Sequence, residues 1–183
     1  ATTTKGNIVI AETSGDLRIG AVTAGGGKDV TLTATGGIYA ATTGTGVVTN
    51  SAAGAAALSV GDNNSNCTFA GTLDDGAGTV ALNKVGGGRL IISSESTYSG
   101  GTTITAGRLE LGLLAPSSAL GTGPVTVMPG AILVLNRNIV ENDLYLNDAR
   151  IEATNGYASD GLTGAITLSG SSVIEVGPYG GIQ

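Results

Sequence analysis

The sequence predicts an all-β chain wound as a right-handed parallel β-helix, a β-solenoid built from three-strand coils. Three observations predict it. Short segments with alternating apolar and polar residues recur along the whole 183-residue chain. Clusters of Gly and Asn separate them. The apolar residues are nearly all aliphatic: hydrophobics reach 41% but aromatics only 3%, with no Trp and one Phe.

The segments run in order from Ile8-Val9-Ile10, Leu17-Arg18-Ile19, Val30-Thr31-Leu32-Thr33 and Leu58-Ser59-Val60 to Thr79-Val80-Ala81-Leu82, Arg89-Leu90-Ile91-Ile92 and Thr103-Ile104-Thr105. Leu109-Glu110-Leu111, Val125-Thr126-Val127 and Ile132-Leu133-Val134-Leu135 follow, then Leu144-Tyr145-Leu146, Ile151-Glu152-Ala153, Ile166-Thr167-Leu168 and Val173-Ile174-Glu175-Val176. Successive strand side chains point to opposite faces, so alternation buries one face and wets the other. Apolar residues do not recur at helical spacing over any long window. The Ala-rich stretch Ser51 to Leu58 is the nearest helix candidate, but it holds Gly54 and runs into the alternation at Leu58.

Gly25-Gly26-Gly27, Gly36-Gly37, Gly86-Gly87-Gly88, Gly100-Gly101 and Asn155-Gly156 supply turn chemistry between the strands. Two architectures give many short, evenly spaced strands: an antiparallel sandwich or barrel, and a solenoid. A sandwich fills a broad core with large rings, and its hairpins favour two-residue Asn-Gly loops. Here rings are scarce and Asn155-Gly156 stands alone as that signal. Aliphatic residues stack well on their equivalents one coil away, which favours the solenoid. Coils of about 20 to 25 residues give roughly eight coils and a rod on the order of 40 Å long, with open sheet edges at its ends. Right-handedness follows from the usual hand of parallel crossovers.

The chain is read as one unit, residues 1–183. It opens on Ala1 and stops at Gly180-Gly181-Ile182-Gln183 within the pattern, which reads as a mature fragment or an excised piece of something longer. No stretch approaches the roughly 20 apolar residues of a membrane-spanning helix. The formal net charge of -6 and eight scattered basic residues argue against nucleic acid as a partner. The single cysteine, Cys67, is expected to be buried beside Phe69 as a small apolar residue.

The chain holds no His, which removes Ser-His-Asp and Cys-His catalysis and His-ligated metals. Acidic pairs remain. Glycoside hydrolysis needs two carboxylates roughly 5 to 10 Å apart. Asp74 and Asp75 are adjacent, but their Gly-flanked setting reads as a turn with Asx hydrogen bonds. Glu110 and Glu152 each sit between apolar strand residues, as solvated outward positions do. Asp62-Asn63-Asn64-Ser65-Asn66 offers oxygen ligands at short spacing, yet lacks the distant bidentate Glu of a calcium loop. It reads as an exposed loop and a plausible contact site. No catalytic, cofactor-binding or metal-binding residue is assigned, and no cofactor is expected.

One stretch carries a family resemblance. Leu82, Lys84, Gly86, Gly88 and Leu90, followed by Tyr98, Gly100, Thr102, Gly107, Leu109, Leu111 and Gly112, resemble the passenger-associated transport repeat of bacterial autotransporters. The similarity extends over residues 69–135, including the tail Ala119 to Val127. Gly6-Asn7-Ile8-Val9-Ile10 and Lys28 to Ile38 are similar to filamentous-haemagglutinin coils, so residues 1–60 read as haemagglutinin-like and 61–183 as autotransporter-repeat-like. The resemblance implies a β-helix exported across the outer membrane by type V secretion, at the cell surface or secreted. It implies an adhesin stalk rather than an enzyme, with an outer-membrane translocation barrel in the parent protein. The partners to expect are a host or bacterial surface ligand and, through the open edges, another copy of the rod. The rival readings are a β-helical polysaccharide-degrading enzyme and a self-associating rod module.

Overall fold

The computed structural model describes residues 7–14, 17–19, 21–24, 30–34, 38–40, 46–62, 64–113, 115–136, 138–153 and 161–177. Asn155-Gly156, several Gly clusters and both chain ends lie outside them.

The chain winds round a common axis. Strands β1 (Ile8–Glu12), β2 (Leu17–Ile19) and β3 (Ala21–Ala24) are followed by β4 (Val30–Ala34), β5 (Ile38–Ala40) and β6 (Val47–Asn50), then by β7 (Ala55–Val60), β8 (Cys67–Phe69) and β9 (Thr72–Asp74). β10 (Thr79–Lys84) and β11 (Arg89–Ile92) lead to β12 (Thr102–Ile104), β13 (Arg108–Leu111) and a 3-10 turn at Ser117–Leu120. β14 (Val125–Val127), β15 (Ile132–Leu135) and β16 (Ile139–Val140) precede β17 (Leu144–Asn147), β18 (Arg150–Ala153) and β19 (Gly161–Leu162), and β20 (Ile166–Ser169) and β21 (Val173–Val176) come last.

Among the described residues every pairing is parallel, and each strand of the two long sheets stacks on its equivalent one coil away. The first long sheet runs β1-β4-β7-β10-β12-β14-β17-β20 and the second β2-β5-β8-β11-β13-β15-β18-β21, eight strands each. This is the expected β-solenoid. The expectation of three strands in each coil needs correction. The third side holds a three-stranded sheet, β3-β6-β9, and a two-stranded one, β16-β19. Between them the chain follows an irregular path at 93–101 and then the 3-10 turn. The Ala-rich stretch is not helical either: Ala55–Val60 is strand β7, because Ala56, Leu58 and Val60 bury every second side chain.

The core is a set of stacked columns. In the first sheet one column passes Ile8, Val30, Leu58, Leu82, Thr102, Val125, Leu144 and Ile166, and the next passes Ile10, Leu32, Val60, Lys84, Ile104, Val127, Leu146 and Leu168. In the second sheet Cys67 stacks on Leu90, Leu109, Leu133, Ile151 and Ile174. Cys67 is buried as expected. Each fully buried Leu or Ile contributes about 1.5–3 kcal/mol against leaving it exposed. In the last coil the inward-column residues Ile166, Leu168, Ile174 and Val176 are 38 to 67% exposed.

In the first sheet two residues break the aliphatic rule at inward positions, Lys84 and Thr102, and both are buried.

Candidate functional site

Polar chemistry concentrates where 82–111 passes round the rod. Lys84 closes β10, stacked between Val60 and Ile104. Its ammonium donates to the carbonyls of Val85 (2.8 Å), Gly86 (2.7 Å) and Ala106 (3.1 Å). The last belongs to the next coil, so one side chain ties two stacked corners together. An ammonium has three donors, and here all three are used without a carboxylate. Burial pushes the Lys84 ammonium below the ordinary lysine range, with a smaller opposing contribution from Cys67. Burial likewise pushes the Cys67 thiol up, against a smaller pull from Lys84. A raised thiol pKa keeps the sulfur protonated and inert.

The corner accepts this packing because Gly86 takes φ +68°, and a Cβ there would stand 2.0 Å from the Gly61 carbonyl oxygen. Gly86-Gly87-Gly88 is therefore a stacked turn, as its setting between strands predicts.

Thr102 is satisfied differently. Its hydroxyl meets the Tyr98 hydroxyl at 2.6 Å and reaches the Leu120 carbonyl at 3.5 Å. Tyr98 fills the irregular third side, where its own amide and that of Thr97 both donate to Leu73 O. Burial pushes the Tyr98 phenol above its ordinary range, with the Thr102 bond opposing.

The acidic candidates are built into the stacking. Asp74 accepts from the hydroxyls of Thr97 and Thr72. Asp75 accepts from the Val80 amide and from both the amide and hydroxyl of Ser99. The bonds expected within a local turn thus run mainly to neighbouring coils. Partial burial raises the Asp75 proton affinity, but the Ser99 hydroxyl and the Val80 and Ser99 amides outweigh it and hold the carboxyl below the usual range.

Glu110 and Glu152 do share an outward column of the second sheet, separated by Val134 and followed by Glu175. Sequence reasoning placed the glutamates and missed their partners. Arg89 pairs with Glu110 at 3.1 Å, Arg108 with Glu152 at 2.6 Å, and Arg150 with Glu152 at 3.4 Å and Glu175 at 3.2 Å. The Arg108–Glu152 bridge crosses β15, and Val134, though in the outward column, is 1% exposed.

The Asp62–Asn66 loop is tied down on the described side. Asn64 Oδ1 accepts the Gly87 amide and Asn66 Oδ1 the Arg89 amide. These oxygens extend the ladder to the next coil. Among the described residues, no group of three or more Cys, Asp or Glu side chains is placed to hold a metal ion.

Residues 82–111 match the family described as the passenger-associated-transport-repeat. Over 85 residues, 45% of this chain, the sequence is 39% identical to the adhesin BmaC autotransporter of Brucella suis biovar 1 (strain 1330). The matched stretch is 2% of that adhesin, so the chain spans a small part of its relative. No solved structure matches the chain.

Proposed function

We propose that this adhesin-like autotransporter passenger region, carrying its transport repeat on a β-solenoid, is a stalk segment of a surface-exposed or secreted bacterial protein. The observation that carries the reading is the pair of eight-stranded parallel sheets, in which each strand stacks on its equivalent one coil away along the rod. The matched repeat supports it in physical terms. Leu82, Leu90, Leu109 and Leu111 stack in the core, Gly86 turns the corner, and Lys84, Tyr98 and Thr102 satisfy the polar groups within. Coils that contact only their neighbours give a stiff rod of additive stability.

On this reading the output is adhesion to a host or bacterial surface, the parent protein supplies the outer-membrane barrel, and the whole segment acts as one unit. An enzymatic reading would need converging, unengaged carboxylates, whereas Asp74, Asp75, Glu110 and Glu152 are engaged in bonds that tie coils together.

The test is a tandem duplication of this segment inside the full-length parent, displayed on cells. Electron microscopy should show the projection lengthened by about 40 Å, with binding to the parent's target surface retained. Unchanged length would overturn the stalk reading.

A further inference from the structure

The outward charges of the second long sheet follow a two-column pattern from β8 to β21. One column passes Arg89, Arg108, Ile132, Arg150 and Val173, and its neighbour passes Thr68, Ile91, Glu110, Val134, Glu152 and Glu175. The cations therefore stand in one column and the carboxylates in the other. The outward column of the first sheet, from Ser59 through Asn83, Thr103, Thr126 and Tyr145 to Thr167, carries no charge. One wall of the rod is ionic and the other neutral.

The ionic pattern is self-complementary in one sense and self-repelling in the other. A two-fold dimer presents the same patch on both copies. With the two-fold axis parallel to the rod, each column faces the opposite column at the same height. Arg108 then meets Glu110 of a second copy, Arg150 meets Glu152, and the apolar row of Ile132 and Val134 meets its counterpart between them. With the axis across the rod, along the strands, each column faces itself. Centred on Ile132, that sets Arg108 against Arg150 and Glu110 against Glu152, and like charges so placed oppose association. We propose that this wall pairs with the same wall of a second copy, the two rods parallel and in register.

The side chains are equipped for such a contact. Within the chain Arg89 gives Nη1 to Glu110, Arg108 gives Nη2 to Glu152, and Arg150 shares Nη1 between Glu152 and Glu175. A guanidinium carries five N–H donors in a planar fork, so each arginine keeps donors for a second carboxylate. The three arginine side chains are 37 to 47% exposed, enough for a partner to reach. The chain as a whole carries a net charge of -6, so copies repel on most approaches. This wall sets three arginines against three glutamates and is neutral. Two columns over six coils make a narrow patch, smaller than the roughly 800 Å² per partner of a stable complex, so the pairing is weak and salt-sensitive. It is a contact between walls, separate from the open sheet edges, and it does not depend on the stalk reading.

Sedimentation equilibrium of the 183-residue chain in about 20 mM salt should show monomer and dimer, weakened several-fold in about 0.5 M salt. The dissociation constant should be on the order of 0.1 to 1 mM. Two charge variants test the surface. Arg108→Glu with Arg150→Glu leaves acids in both columns, and Glu110→Arg with Glu152→Arg places cations in both. Neither should pair with itself, while their equimolar mixture should associate at least as tightly as wild type. Exposed ion pairs add little to folding, and association in the mixture requires both variants to be folded. A nitroxide on Thr68→Cys reads the polarity with the charges unaltered, since Cys67 beside it is buried. Parallel pairing holds the two labels at one height, within about 20 Å, whereas antiparallel pairing centred on Val134 separates them by six coils, about 29 Å along the axis. The longer distance would overturn the proposal. So would self-association that persists in both charge variants, or a strict monomer at about 1 mM.

Discussion

Tyr98 Oη and Thr102 Oγ1 lie 2.6 Å apart inside an aliphatic core. Thr102 occupies a position that Leu82 and Val125 fill in the coils on either side. With Thr102 donating to Leu120 O, Tyr98 is the donor to Thr102, and the chain of bonds pins the irregular third side to the first sheet.

That pairing predicts non-additive mutations. Tyr98→Phe and Thr102→Val each strand a buried polar group and should cost about 1–3 kcal/mol. The double variant should lose less than the sum of the two, because the Tyr98–Thr102 bond can be lost only once. Urea unfolding of the four proteins measures the coupling, and strict additivity would contradict the bond.

Lys84→Met keeps a long side chain but orphans the carbonyls of Val85, Gly86 and Ala106. It should destabilise by about 1–3 kcal/mol. The pH dependence has a definite sign. Burial holds the folded pKa below the unfolded value of about 10.4, so the unfolded chain binds more protons between the two. Stability contributed through Lys84 should therefore rise with pH across that window. Thermal melts of wild type and Lys84→Met in alkaline buffers would show it as a difference in slope.

Gly86 and Gly130 make a controlled pair. Both take positive φ, +68° and +76°, but a Cβ on Gly130 meets nothing within 4 Å. Gly130→Ala should cost the backbone preference alone, about 1–2 kcal/mol. Gly86→Ala adds the clash with Gly61 O and should be clearly worse, which comparison of the two melting temperatures decides.

Asp75 provides the acid-side test. Its folded pKa lies below the unfolded aspartate value of about 3.9, so its contribution is present above that value. It is lost as pH falls through the depressed folded pKa. Asp75→Asn should flatten the acid limb of a melting-temperature profile while lowering stability at neutral pH.

Much of this architecture was legible in the sequence wherever two inward residues flank an outward one, as in Leu109-Glu110-Leu111. The third side was not. Strands Val47–Asn50 and Thr72–Asp74 each present one buried apolar residue to the core, Val48 or Leu73. One such residue makes no alternation, and the same is true of the two-residue strands Ile139–Val140 and Gly161–Leu162. The ion pairs were half legible: outward Glu110 and Glu152 could be placed, but their arginines sit on strands brought together only by coil length.

The broken third side also sets the mechanics. Two walls carry unbroken hydrogen-bond ladders parallel to the axis, while the third is interrupted at 93–101 and at the 3-10 turn Ser117–Leu120. The irregular stretch is still tied along the axis, by the Thr97 and Tyr98 amides to Leu73 O and the Thr122 amide to Tyr98 O, so the third side carries load through single, individually removable bonds where the other two walls share it along a ladder.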